Sequence, residues 1–381
     1  MSKRIINSFN HQSEFHHPPS EPEIGRLIKY YSNYYYVAVG NRRLACSLKG
    51  SFKKTGELPV VGDWLRLDSI DWIQETARIV DILPRQNSIE RPKLANIDCV
   101  IVVHPVDQPM FDFMQVDRYL ALAALAGIDS ILCVTKSDLT PDNAQLVEQI
   151  QHIYADQLKY PVFFTSIKNS SSLQPIRNWL SDKVSVLAGP SGGGKSSLLN
   201  ALNPALQLKV GDVSEKLKRG QHTTRHVELL SLDNEKSLAV SRTLIADTPG
   251  FSHVRFENIL PEAIQKAFPE TLSLAANCYY PDCLHQHETL CGVLTALENN
   301  QSVISQSRYA SYCTFLEEVL AFKESHKNQS RKTETLLKDS HRAKGERSKK
   351  LKVNSKTRSL SRRYQTQYLA EKIQTESHDT L

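Results

Sequence analysis

The stretch that most constrains this chain is Gly189-Pro190-Ser191-Gly192-Gly193-Gly194-Lys195-Ser196-Ser197, which comes after the apolar run Val184 to Ala188. Its spacing, G-x-x-x-x-G-K-S, is that of a phosphate-binding P-loop. The glycines let successive backbone N–H groups converge on a β-phosphate, Lys195 sets a point charge on the β- and γ-phosphates, and the Ser196 hydroxyl can ligate Mg²⁺. Ser197 and the residues after it should open a helix whose N-terminal dipole also favours an anion. A fold containing this loop must supply a buried strand before it and a helix after it. The loop alone does not choose between ATP and GTP.

The base is named elsewhere. From Cys99 the sequence alternates buried-strand and amphipathic-helix patterns, as a doubly wound α/β domain does. Strands are expected at 99–104, 130–135, 162–165 and 184–188, and helices at 113–126, 146–154 and 173–180. At the carboxyl end of the second strand stands Thr135-Lys136-Ser137-Asp138, similar to the N/T-K-x-D motif of GTPases. A carboxylate at Asp138 can accept from guanine N1–H and the 2-amino group, a donor pair that adenine lacks. Thr135 stands where Asn is usual, which predicts weaker anchoring of the loop without loss of guanine preference. Ser166-Ile167-Lys168 comes after the next strand and resembles the loop whose backbone meets guanine O6.

Downstream of the P-loop, Asp247-Thr248-Pro249-Gly250 matches D-x-P-G, with Asp247 reaching Mg²⁺ through water and the Gly250 amide sensing the γ-phosphate. Between them, Gly220-Gln221-His222-Thr223-Thr224-Arg225 resembles a switch segment, with Thr224 the first choice as Mg²⁺ ligand and Thr223 the second. Base motif and S-I-K loop precede the P-loop, so the usual GTPase order is circularly permuted. One nucleotide site still results if all five segments lie on loops at one edge of one sheet.

The flanks read differently. Residues 25–92 suggest five short strands with a Val61-Gly62-Asp63 corner, as in an OB-fold barrel, a frequent oligonucleotide binder. Tyr30, Tyr31, Tyr34, Tyr35 and Tyr36 offer stacking surfaces or, on alternate sides of a strand, half core and half surface. Residues 1–24 read as a polar disordered leader.

After 93–256 comes a small helical unit, 257–322, carrying Cys278-x4-Cys283-x-His285-x5-Cys291. Three thiolates and an imidazole suit closed, structural Zn²⁺, with His287 a rival nitrogen donor. The other four of the seven cysteines are scattered, which fits a reducing compartment better than a disulfide framework.

The net charge of +6 hides a tail. Residues 323–363 hold fifteen Lys/Arg against four Asp/Glu, a net of +11 that leaves the rest of the chain at −5. From 323 to 381 the low apolar content predicts mostly disorder, with RNA contact as one use of the charge. No apolar run of eighteen residues exists to span a membrane.

Together the segments GPSGGGKSSLLN, GQHTTRHVELL, ADTPGFS, RPKLANIDCVIVVH, TKSDL and the Cys-His knuckle resemble the RsgA family of circularly permuted GTPases. The resemblance runs from about Gly25 to Phe322. It implies an OB-fold, a permuted GTPase domain and a zinc domain; a ribosome-stimulated GTPase that hydrolyses GTP to GDP; binding to rRNA near the decoding region of the 30S subunit during its late maturation; and a monomeric, cytoplasmic protein. Ras-like enzymes orient the attacking water with a Gln after D-x-x-G; here Phe251-Ser252-His253 stands in that place, and His222 becomes the candidate for that role beside catalytic Lys195 and Thr224. An ATP-using P-loop enzyme is disfavoured by Asp138, and a passive RNA-binding scaffold by intact Lys195, Ser196 and Asp247.

Overall fold

A computed structural model describes residues 23–31, 34–50, 52, 58–90, 92–208, 227–233, 243–247, 256, 259–299 and 304–340. The first unit is a closed five-stranded barrel of β1 (Glu23–Tyr31), β2 (Tyr34–Val39), β3 (Arg42–Leu48), β4 (Trp64–Asp71) and β5 (Thr76–Ile82). Its order is β1-β2-β3-β5-β4, closed by β1–β4, with β3 and β5 parallel and the other pairs antiparallel. Alternate side chains point inward, so that Leu27, Val37, Leu44, Leu65, Leu67 and Ile79 fill the barrel. Closure removes the free edges that short strands would otherwise expose. The tyrosines divide between core and surface. Tyr35 is buried in the barrel core, while Tyr30, Tyr31 and Tyr34 are exposed.

The Val61-Gly62-Asp63 corner ties the barrel to the connection that leads into the α/β sheet. Gly62 has φ +99°, and a Cβ there would lie 1.9 Å from the Ala95 carbonyl oxygen, so only glycine fits. The buried Asp63 carboxylate accepts from the Val60 amide at 2.8 Å and from the Arg85 guanidinium at 2.7 and 2.9 Å. A hairpin, β6 (Ser88–Glu90) with β7 (Lys93–Ala95), straddles residue 92, so the change of sequence pattern there falls inside a paired element.

The α/β sheet consists of β8 (Cys99–Pro105), β9 (Asp129–Thr135), β10 (Val162–Phe164), β11 (Val184–Ala188), β12 (Glu228–Ser231) and β13 (Leu244–Asp247). The order is β10-β9-β8-β11-β13-β12, parallel except for β12. Every residue of β8 and of β11 is buried, as expected for strands covered on both faces. One face packs on α1 (Phe113–Leu125) and α2 (Ala144–Ile150), the other on α3 (Gln174–Leu180) and α4 (Lys195–Leu202). Strand β12 also pairs with barrel strand β1 at Lys29↔Glu228, where the two side chains form an ion pair at 2.6 Å. Barrel and α/β sheet are thereby one continuous ladder.

The last unit holds α5 (Pro261–Ile264), α6 (Pro269–Ala275), α7 (Gly292–Glu298) and α8 (Gln306–Ser340). The expectation of disorder from Lys323 is corrected for 323–340 only, because α8 continues through Ser340; residues 341–381 lie outside the described residues. Residues 323–340 contain no Gly or Pro, and their Lys, Glu, Gln, Arg and Leu are good helix formers. Low apolar content argues against burial, not against helix.

A buried charge cluster seats α8 on α1. Arg308 donates to Asp117 and to Glu270, each at 2.8 Å, and Asp117 also accepts from Tyr154 and Ser311 at 2.8 and 2.7 Å. Burial alone would depress the Arg308 pKa, but Asp117 and Glu270 hold it above its ordinary value. Removing Arg308 leaves the two buried carboxylates without their counter-charge, a loss of about 3–5 kcal/mol. Arg308→Ala is therefore expected to lower the denaturant-unfolding free energy by about that much, whereas Asp81→Ala, at an exposed pair with Arg66, leaves the transition in place.

Candidate guanine-nucleotide site and metal knuckle

The P-loop leaves β11 at Ala188 and enters α4 at Lys195. Its first turn is fixed by a close crossing: Gly189 has φ +149°, and a Cβ there would stand 2.1 Å from the Val103 carbonyl oxygen on β8. Burial of Leu198, Leu199 and Leu202 against the sheet anchors the helix at the end of the loop. Ser196 and Ser197 lie in its first turn, only partly buried. The Lys195 ammonium donates to the Gly189 and Pro190 carbonyls at 2.9 and 2.7 Å, so the cation sits over the loop.

Thr135 is the last residue of β9 and is buried. Its hydroxyl donates to the Gly193 carbonyl at 2.8 Å, tying the Thr135–Asp138 loop directly to the Gly189–Ser197 loop. A hydroxyl offers one such bond where an Asn amide would offer two N–H donors. Lys136 adopts a left-handed backbone, φ +57°, and its ammonium donates to the Gln108 carbonyl. The Ser137 amide donates to the Thr165 carbonyl at 3.0 Å.

Asp138 accepts from Ser166 Oγ at 2.7 Å and pairs with Lys168 Nζ at 2.7 Å. The Lys168 contact first, then Ser166, lowers its pKa to about 2, so the carboxylate is ionised at neutral pH and can only accept hydrogen bonds. Ser172 Oγ accepts from the Ser166 amide at 2.9 Å and holds the S-I-K turn, while Ile167 and Lys168 stay exposed.

Thus Thr135–Asp138, Ser166–Lys168 and Gly189–Ser197 converge at the carboxyl edge of the sheet. Asp247 closes β13 at that same edge. His222, Thr223, Thr224 and Gly250 lie outside the described residues, as does the Asp247 side chain. Gln108 and Ser172 were not anticipated: both act through backbone contacts, which leave no motif, although Ser172 ends a serine run that reads as a turn.

In the helical unit, one donor atom from each of Cys278, Cys283, His285 and Cys291 lies within 4.8 Å of the others. Tetrahedral zinc with Zn–S of about 2.3 Å places thiolates about 3.8 Å apart; Cys278 and Cys291 Sγ are 3.9 Å apart. His285 turns Nδ1 toward those two sulfurs at 3.5 and 3.4 Å. The rival His287 is exposed and outside the cluster. The Cys291 thiol is lowered to about 4, first by its contact with Cys283, then by His285 and the Val293 and Leu294 amides. Glu288, missed in the sequence, is buried and accepts from the amides of Leu284, Gln286 and His287, at 2.9, 2.9 and 3.2 Å, shaping the turn that presents His285. Donor set and spacing fit zinc.

A P-loop served by base-recognition loops from earlier strands, all on one carboxyl edge, defines a circularly permuted GTPase. Comparisons with known proteins agree. Residues 82–257 match the RsgA GTPase family and residues 24–72 the RsgA N-terminal domain. The small ribosomal subunit biogenesis GTPase RsgA of Alkaliphilus metalliredigens is 38% identical over 295 residues, spanning 77% of this chain and 97% of the relative. That of Halalkalibacterium halodurans is 37% identical over 296 residues, spanning 77% and 96%. The crystal structure of YjeQ from Thermotoga maritima superposes with TM-score 0.66 at 31% identity, covering 78% of this chain and 99% of that one. YloQ, a circularly permuted GTPase, gives 0.64 at 31% identity, covering 83% and 98%. The chain belongs to the RsgA family of GTP-hydrolysing enzymes.

Thr135→Val keeps the shape but strips the donor from Gly193. One net hydrogen bond is worth about 0.5–1.5 kcal/mol, so GDP affinity measured by calorimetry is expected to fall about three- to ten-fold, with the preference for guanine over adenine intact.

Proposed function

We propose that this chain hydrolyses GTP as a ribosome-activated switch in late maturation of the small ribosomal subunit, binding 30S rRNA near the decoding region. The observation that carries the nucleotide part is the Thr135–Gly193 hydrogen bond, which locks the guanine-reading motif to the phosphate loop. The relatives' names, small ribosomal subunit biogenesis GTPase, supply the ribosomal setting.

In this reading Asp138 accepts from the guanine N1–H and 2-amino group, and the Ser166–Lys168 backbone meets O6. The loop amides of Gly189–Gly194 and the Lys195 charge stabilise the phosphates and the transferred phosphoryl group. Ser196 and Thr224, or Thr223 in its place, would hold Mg²⁺ together with Asp247. Gly250 senses the γ-phosphate and His222 orients the attacking water. When bound, Mg²⁺ would neutralise part of the charge on the transferred phosphoryl group.

Zinc in the Cys278–Cys283–His285–Cys291 knuckle is structural, since four ligands leave no open position. The exposed barrel tyrosines and the basic residues beyond Lys323 are surfaces for rRNA. Among the described residues no helix is long and apolar enough to cross a membrane; we place the protein in the cytoplasm, as a monomer.

Turnover of GTP and ATP, with and without purified 30S subunits, tests the reading. Strong stimulation by 30S, confined to GTP, is expected. Lys195→Ala should reduce kcat by at least about 100-fold and His222→Ala by about 100-fold with 30S binding intact. Comparable ATP turnover would overturn the assignment of Asp138, and tight 30S binding without turnover would make the chain a scaffold.

The knuckle has its own test. One equivalent of zinc by atomic absorption is expected in the purified protein and in His287→Ala, with loss of the metal and of the helical unit's cooperative unfolding in His285→Ala.

A further inference from the structure

The turn after β8 belongs to no nucleotide motif, yet it touches both halves of the site. Its ends are fixed. The Val106 amide donates to the Thr135 carbonyl at 3.0 Å, and Val106 itself is buried in the core of the α/β domain. Phe111 is buried edge-to-face against His104 and Phe113, with ring centroids 4.8 and 4.9 Å away. Asp112 then caps α1 by accepting from the Gln115 amide at 3.1 Å. Between these anchors only Asp107-Gln108-Pro109-Met110 cross the edge of the sheet.

Within the turn, Gln108 has a left-handed backbone, φ +57°, and its amide donates to the Asp107 carboxylate at 2.7 Å. The Gln108 carbonyl accepts from the Lys136 ammonium. On the phosphate side, a Cβ on Gly192 would stand 4.0 Å from the Pro109 ring. The turn therefore lies where the Thr135–Asp138 loop and the Gly189–Ser197 loop meet. Lysine is among the side chains that lose most rotamer entropy when ordered, and a group ordered before its ligand arrives lowers the cost of binding. With its head seated on Gln108, the Lys136 stem is available as apolar cover two residues before Asp138.

We propose that Asp107 and Gln108 are positioning residues for guanine nucleotides: the Asp107-capped turn holds the Lys136 ammonium and so sets the lysine stem at the base site before the nucleotide binds. This rests on the assignment of Thr135–Asp138 as the base-reading loop. Both residues act through Lys136, so the turn contributes affinity, and the choice of base edge stays with Asp138.

The test is a double-mutant cycle on the full chain, with affinity for GDP and Mg²⁺ measured by calorimetry. Asp107→Ala frees the Gln108 amide and is expected to weaken GDP about three- to ten-fold, the worth of one hydrogen bond. Asp107→Asn keeps an acceptor oxygen and should stay within about two-fold of wild type. In a Lys136→Met background, which keeps a stem without the charge, Asp107→Ala should cost less than about two-fold, because the group it serves is gone. Inosine diphosphate, which lacks the 2-amino group, should weaken in step with GDP in Asp107→Ala. A second readout needs no nucleotide: acylation of Lys136 by a succinimidyl ester, followed by mass spectrometry, should be faster in Asp107→Ala and unchanged in Asp107→Asn. The thermal transition reports folding. Should Asp107→Ala not fold, Gln108→Gly keeps the left-handed backbone while loosening the carbonyl, and the same changes in affinity and acylation are expected.

Unchanged GDP affinity and Lys136 reactivity in a folded variant, or an equal loss of affinity with and without the Lys136 charge, overturn the proposal and leave the turn a surface loop. Wild-type protein that binds ADP as well as GDP would instead remove the base-reading assignment on which the proposal rests.

Discussion

A parallel sheet has a single carboxyl edge, whatever order the chain visits its strands. That constraint carries the rest of this structure. Strands β8, β9, β10, β11 and β13 run the same way, so the loops after Thr135, Phe164, Ala188 and Asp247 emerge side by side although 112 positions of sequence separate the first from the last. Cyclic reordering of a GTPase leaves the site intact because the site is a property of the edge. The reordering moves the chain ends instead. The barrel can then precede the base motif, and the zinc-knuckle unit can come after the D-T-P-G segment.

Convergence on an edge is not yet a site; the loops must also be held together. Thr135 does this with one hydrogen bond to Gly193, and Asp138 with its contacts to Ser166 and Lys168. The Asp138 contacts occupy the carboxylate with partners that keep it ionised, which is the state guanine requires. Lys195, bonded to the carbonyls of its own loop, is likewise already in the region where phosphate oxygens would compete for it. The polar groups of the described site are thus largely arranged by the protein itself, the condition under which fixed charges and dipoles act with little reorganisation.

Much of this was legible in the sequence because phosphate and guanine recognition use residue types at strict spacing. Gly189–Ser197 and Thr135–Asp138 could be assigned from their letters. The knuckle was equally plain, up to the choice between His285 and His287. That choice depended on a turn built by Glu288, whose work is done on backbone amides and has no sequence signature. The same limit hid the Arg308 cluster. Arg308 lies on the stripe formed by Tyr312, Phe315, Leu316 and Val319, and Asp117 beside Val116 and Leu120, so charges interrupt two apolar faces. Such an interruption is the one sign of a buried ion pair, but it does not say which partner lies opposite. The extent of α8 was misjudged for a different reason: hydropathy reports burial, and a helix that leaves the core keeps its hydrogen bonds without it.

The two flanking units meet the nucleotide domain in different chemistry at corresponding places. On the barrel side, Lys29 pairs with Glu228, the first residue of the strand that comes after the switch threonines in sequence. That contact is part-exposed and is one ion pair beside one ladder position, so its strength falls with salt. On the knuckle side, Phe256 and the Arg308 cluster are buried, and screening reaches neither. The barrel has a buried seat as well, since Ile28 and Val61 lie in one apolar core with the strands of the α/β sheet. Salt therefore weakens one barrel contact and leaves its apolar seat untouched, whereas the knuckle unit is seated on ions that burial keeps out of the reach of screening.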